Sequence, residues 1–161
     1  MEYFEMAIKM EVDGEKFYKE QANKNQDNAT YQIFTYLAQE EQKHARLIEK
    51  MQKKLSIDPT PEIDLTEYKH PFQELKDFQL DIKTIPEQLD VYRLALEMEK
   101  KSIDFYQDIL TKTKNPEGKK IINFLILQEK SHYKIFEGII EHVLRAEEWV
   151  EDAEFGLRKP Y

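Results

Sequence analysis

The sequence predicts an all-α fold: a four-helix bundle of two antiparallel helical hairpins joined by a long crossover. Three observations lead there. Four long segments carry apolar residues three and four apart, the spacing that gathers side chains on one face of a helix. Short polar connections separate the members of each pair, whereas a proline-interrupted stretch of about thirty residues separates the pairs, far longer than an ordinary helix–helix turn. Finally, the first pair is repeated in the second at a single offset.

The first predicted helix runs from about Glu2 to Lys24 and the second from about Asn28 to Leu55, with a tight turn at Asn25 to Asp27. The third runs from about Pro86 to Lys112 and the fourth from about Pro116 to Glu148, with Asn115-Pro116 as a helix start. Between the hairpins, Ser56 to Ile85 contains Pro59, Pro61 and Pro71 and has weak periodicity. At about 3.3 Å per extended residue it can run the length of a bundle. The tail from Trp149 to Tyr161 carries Trp149, Val150, Phe155 and Leu157 beyond the core stripe. It is expected to cap the bundle or to pack on a second copy in a homodimer. Residues 1–161 thus read as a single domain, long enough to bury a core without a covalent staple.

Composition narrows the chemistry. With no cysteine, disulfides, thiolate nucleophiles, iron–sulfur clusters and thiolate zinc sites are excluded, so any metal must be held by oxygen and nitrogen. A formal charge of -8 argues against general nucleic-acid binding, which needs a basic face for the phosphates. No apolar run approaches the ~20 residues of a membrane span, and the N-terminus lacks the layout of a secretory signal, so a cytoplasmic location with no membrane partner is expected.

The repeat relates AIKMEVDGEKFY, from Ala7, to ALEMEKKSIDFY, from Ala95, an offset of 88 residues. The same 88 residues carry Glu41 and His44, in QEEQKH, onto Glu129 and His132, in QEKSH. Two amphipathic hairpins resemble each other by composition alone, which accounts for matched Ala and Leu. It does not account for a shared Glu-x-x-His at the same separation from a shared acidic and aromatic pattern.

Each inward stripe is interrupted near its middle by a carboxylate: Glu11, Glu41, Glu99 and Glu129. His44 and His132 follow three residues after the second and fourth. Burying an ion is costly unless it is compensated, and no Lys or Arg lies on these stripes nearby. Four carboxylates brought together raise one another's pKa values. Two multivalent cations cancel the charge and use the oxygen and imidazole lone pairs. Glu11 lies about 15 residues before its turn and Glu41 about 15 after, so both sit roughly 22 Å from the turn. Glu99 and Glu129 repeat this, and the four converge if the hairpins stack with opposed turns. One Glu from each of two helices and one Glu-x-x-His from each of the other two is how facing helices build a carboxylate-bridged dimetal site.

Carboxylate with imidazole suits iron, manganese or zinc and counts against calcium. Tyr18 and Tyr106, two turns beyond Glu11 and Glu99, favour iron, since each can hydrogen-bond a ligand carboxylate or a bound oxygen substrate; plain core packing explains them equally well. Glu15, on the inward stripe, and Glu40 are candidates for contacts just outside the ligands. His70 reads as structural or exposed, His142 lies about 15 Å along the helix from His132, and Glu97 falls off the face of Glu99.

The segments MEVDGEKFY, LAQEEQKHA, EMEKKSIDFY and LILQEKSH resemble the rubrerythrin group of ferritin-like diiron proteins, across about two-thirds of the chain. The resemblance implies a ferritin-like bundle with Glu11, Glu41, His44, Glu99, Glu129 and His132 as ligands of two iron ions. Either Glu41 and Glu129 or Glu11 and Glu99 would bridge. It implies an oxidoreductase that reduces hydrogen peroxide or dioxygen as a peroxidase or ferroxidase. Members commonly append a four-cysteine iron domain that relays electrons; without cysteine, an external donor protein or reductant is expected here. The group's third helix usually carries a further glutamate one turn after its first ligand, linked to redox-dependent metal movement. Here that place is Ser102, a departure that bears on the peroxidase cycle and leaves the ligand set as the resemblance implies. Iron binding or storage without turnover, and a metal-free interaction bundle, are the competing readings.

Overall fold

The computed structural model describes residues 2–26, 30–57 and 88–156. Its elements are α1 (Glu2–Lys24), α2 (Thr30–Ile57), α3 (Leu89–Lys112) and α4 (Pro116–Gly156). Among the described residues there is no strand. α1 packs along α2 and α3 along α4, with lighter contact between α1 and α3 and between α2 and α4. This is the expected four-helix bundle of two hairpins. The expected crossover and His70 lie outside the described residues.

Local chemistry sets the helix ends. Asn25 closes α1 twice, its backbone N–H donating to Ala22 O at 3.0 Å and its side-chain amide to Gln21 O at 2.6 Å. Asn115 caps α4, its Oδ1 accepting the Gly118 N–H at 3.0 Å, while Pro116 takes the first helical position, where its missing N–H costs nothing. α3 starts at Leu89 rather than Pro86.

α4 departs furthest from expectation. It passes the anticipated end at Glu148 and continues to Gly156, because neither Gly nor Pro stands between Glu148 and that glycine. Trp149, expected to cap the bundle or meet a second copy, is 75% exposed on this extension. It caps nothing among the described residues.

One contact fixes how the hairpins meet. Gln88, just before α3, donates its side-chain amide to Asn25 Oδ1 at the α1–α2 turn, and accepts from the Tyr92 hydroxyl at 2.8 Å. The first hairpin's turn therefore sits beside the start of α3, and the two turns lie at opposite ends of the bundle.

The core divides into two clusters along the bundle axis. Towards the α1–α2 turn it is aromatic: Tyr18, Phe34, Tyr92 and Phe136, with Ile33, Leu37 and Val143. Phe34 lies 6.2 Å from Tyr18, 6.3 Å from Tyr92 and 6.3 Å from Phe136 between ring centroids, within the range of favourable aromatic pairs. Towards the α3–α4 turn it is mostly aliphatic, with Leu47, Ile48, Met51, Ile121, Ile122 and Leu125 around Tyr106. Between them, at the level of Glu11, Glu41, Glu99 and Glu129, the interior is polar. Phe34→Ala removes the shared ring of the aromatic cluster and is expected to cost about 3–5 kcal/mol. Urea unfolding followed by circular dichroism measures this, and a loss below about 1 kcal/mol would show that the cluster does not carry the fold.

Candidate metal centre

All six expected ligands are buried, at 4% exposure or less. They fall into two overlapping groups. Ligand atoms of Glu11, Glu41, His44 and Glu129 lie within 4.8 Å of one another, as do those of Glu41, Glu99, Glu129 and His132. Glu41 and Glu129 belong to both groups, Glu11 and His44 only to the first, and Glu99 and His132 only to the second. Of the two pairs that the sequence left open, the Glu-x-x-His glutamates are the one common to both groups.

The imidazoles turn Nδ1 to this cluster. His44 Nδ1 lies 2.9 Å from Glu129 Oε1 and 3.3 Å from Glu11 Oε2. His132 Nδ1 lies 3.2 Å from Glu41 Oε1 and 3.6 Å from Glu99 Oε2. The rings are nearly parallel, 5.5 Å apart at an interplanar angle of 16°. Close as these atoms are, they are not aligned as hydrogen bonds. Glu11 Oε2, Glu99 Oε2, Glu129 Oε1 and both nitrogens of each histidine are buried without a hydrogen-bond partner. Buried polar atoms are nearly always paired. Donor atoms that converge on common points instead of on one another fit a cation between them, and the mix of carboxylate oxygen and imidazole nitrogen fits iron, manganese or zinc.

Electrostatics point the same way. Burial and the charge of Glu11 push the Glu41 carboxyl well above its usual range, and burial with Glu41 and Glu11 does the same to Glu129. Glu11 ends lowered: burial raises it, but the approach of Glu41, His44 and the Tyr106 phenol outweighs that. Burial pulls both imidazoles down, yet the surrounding carboxylates leave His44 well above its ordinary value and His132 above it. A like-charged pair about 4 Å apart costs about 4 kcal/mol at an effective dielectric of about 20. A few such pairs would consume the whole stability of a domain, about 5–15 kcal/mol.

Both tyrosines reach the cluster, and they cross between hairpins. Tyr18 on α1 donates its hydroxyl to Glu99 Oε1 on α3, and Tyr106 on α3 donates to Glu11 Oε1 on α1. Burial, with Glu99 and Glu41 for Tyr18 and with Glu11 and Glu129 for Tyr106, pushes both phenols well above 10. They stay protonated, as permanent donors. Each ring is thus core packing and its hydroxyl a contact with an expected ligand.

Other expectations sort differently. Glu15 joins neither group; it pairs with Lys19 and accepts from Gln42 Nε2 at 3.0 Å along the α1–α2 seam. His142 and Glu97 are exposed. A cleft of about 410 Å³ between α1 and α3 reaches Tyr18, Glu41 and Glu99, past Met10, Gly14, Met98 and Ser102. Sequence reasoning did not find it, although Gly14 and Ser102, 88 residues apart, are small residues at matching places in the repeat.

Opposed hairpins that bring two Glu and two Glu-x-x-His together at mid-bundle define the class of ferritin-like carboxylate-bridged dimetal proteins. Within that class the chain belongs to the rubrerythrin family, whose model, Rubrerythrin, matches residues 2–140. A solved structure of a hypothetical protein from Pyrococcus furiosus is similar in fold, with a TM-score of 0.66, 24% identity and 89% of each chain covered. No curated protein matches the sequence.

Removing one carboxylate should reveal the cost of the cluster. Glu41→Gln relieves repulsion and keeps the shape, so the metal-free protein should melt higher, by roughly 1 kcal/mol of added stability. The parent should gain roughly 2.7 kcal/mol per bound ion at Mn(II) a hundredfold above the dissociation constant, and the variant should lose most of that gain. Differential scanning calorimetry with and without Mn(II) reads both. Equal Mn(II) stabilisation of the two proteins would contradict the arrangement.

Proposed function

We propose that the chain is a diiron oxidoreductase that reduces hydrogen peroxide with electrons from an external donor. The family and the two Glu/His groups support a diiron oxidoreductase-like function of the peroxidase or ferroxidase kind. The observation that carries the reading is the set of buried, partnerless oxygen and nitrogen atoms shared between two overlapping groups. A metal-free interaction bundle would leave them unexplained.

In this reading Glu11 and His44 would hold one ion and Glu99 and His132 the other, with Glu41 and Glu129 within reach of both positions. Two ferrous ions held there would supply one electron each, the two that an O–O bond needs to be cleaved. The protein's own groups do the rest. Helix-borne ligands clamped between two packed clusters keep the two positions close. Tyr18 and Tyr106 orient the outer glutamates, and their raised phenols keep a proton at each Oη. Tyr18 also borders the cleft, so it faces a molecule that arrives there. That cleft is the proposed route for peroxide. Ser102 keeps its wall short, and Gly14 leaves Glu41 uncovered, since an added Cβ would stand 3.4 Å from Glu41 Cγ.

Electron counting supplies the test. The sequence has no cysteine for an iron–sulfur relay, so the oxidised centre must be reset from outside. Titration of the anaerobic diferrous protein should consume about one peroxide per two Fe(II) and then stop until reductant is added. His44→Ala and His132→Ala should each impair loading of one ion with similar losses of activity, because the two half-sites have equivalent ligands. Sustained turnover without reductant would overturn the electron supply. Oxidation no faster than that of free Fe(II) in the same buffer would overturn the function.

A further inference from the structure

The repeat that makes the half-sites alike is broken in one buried layer. In place of Glu40 and Lys43, the second hairpin has Gln128 and Ser131. Glu40 is buried, with Oε1 held by the Lys43 ammonium at 2.8 Å. Gln128 is equally buried but neutral, and Ser131 turns its hydroxyl back to Leu127 O at 2.9 Å.

Glu40 also stands against both imidazoles. An oxygen of Glu40 and a nitrogen each of His44 and His132 lie within 4.8 Å of one another. Nδ1 of each ring faces the four glutamates, so Nε2 is the edge left to Glu40. Neither Nε2 has a hydrogen-bond partner. Two buried ring nitrogens without partners thus adjoin one buried carboxylate, an oxygen of which stands within 4.8 Å of a nitrogen of each ring. A carboxylate behind a ligating imidazole fixes the tautomer, aims the inner nitrogen and raises its basicity.

We propose that Glu40 is a positioning residue for both histidines, accepting Nε2–H from His44 and from His132, with Lys43 anchoring the carboxylate. The inference rests on the ligand assignment above. One acceptor thereby serves two half-sites, and it places a negative charge on one side of an otherwise symmetric centre. Glu40 acts through the imidazoles and is not itself a ligand.

The test is a Co(II) titration of the full chain against a competing chelator, for the parent, Glu40→Gln and Glu40→Ala, with calorimetry of each protein before loading. The parent should take up two ions. Glu40→Ala should weaken binding about tenfold or more, and Glu40→Gln, which keeps an acceptor without the charge, by less. Both variants should still bind two ions, melt with the parent when metal-free, and, loaded with iron, show a more positive reduction potential. Affinities and potentials equal to the parent's would overturn the proposal, as would affinity lost in step with metal-free melting. A variant that binds one ion would make Glu40 a ligand and overturn it equally. Failure of the parent to bind Co(II) would instead overturn the ligand assignment beneath it.

Discussion

Four glutamates meet in the middle of a hydrophobic bundle, and the rest of the structure is arranged around the cost of holding them there. Each is buried, and with all four charged their mutual repulsion would be comparable with the stability of a domain. Burial and neighbouring charge raise two of the carboxyls and oppose each other at a third. An apolar layer of the same shape would be the more stable choice, and bound cations would offset the difference.

The apolar clusters answer that cost from either side. The aromatic cluster holds Tyr18 and the aliphatic cluster holds Tyr106, so each phenol is packed as core at the ring and polar at the hydroxyl. Because each reaches across to the other hairpin's glutamate, the hairpins are tied at the site itself as well as at the bundle end, where Gln88 meets Asn25. Packing and chemistry therefore depend on the same residues: loosening either cluster would loosen the ligands.

Symmetry in the ligands coexists with asymmetry around them. The 88-residue repeat reproduces the glutamates, histidines and tyrosines, whereas Glu40 and Gln128, Lys43 and Ser131, and Gly14 and Ser102 differ between the halves. The cleft touches Tyr18, Glu41 and Glu99 but not Tyr106, Glu129 and Glu11. A substrate arriving there meets one half first. The two positions can thus share a ligand set and still differ in access and surrounding charge.

Much of this is legible in the sequence. Helical periodicity showed the four segments, since burial of one face imposes a spacing that survives in sequence. The carboxylates stood out because they interrupt apolar stripes where no counter-charge is at hand, and the common offset paired them into half-sites. Other features depended on distances between helices, which periodicity does not encode. That Glu41 and Glu129 lie in both groups follows from such distances, as do the hydrogen bonds by which the tyrosines reach the opposite hairpin. Glu15, on the inward stripe, and Glu40, beside it, were both candidates for contacts just outside the ligands, yet Glu15 turned into the α1–α2 seam and Glu40 toward the histidines, because helix rotation in the packed bundle decides what such a residue faces. The sequence by itself determined which side chains had to be buried together; only the packing of one hairpin on the other decided which of them touch, because that follows from the relative height and rotation of helices far apart in the chain.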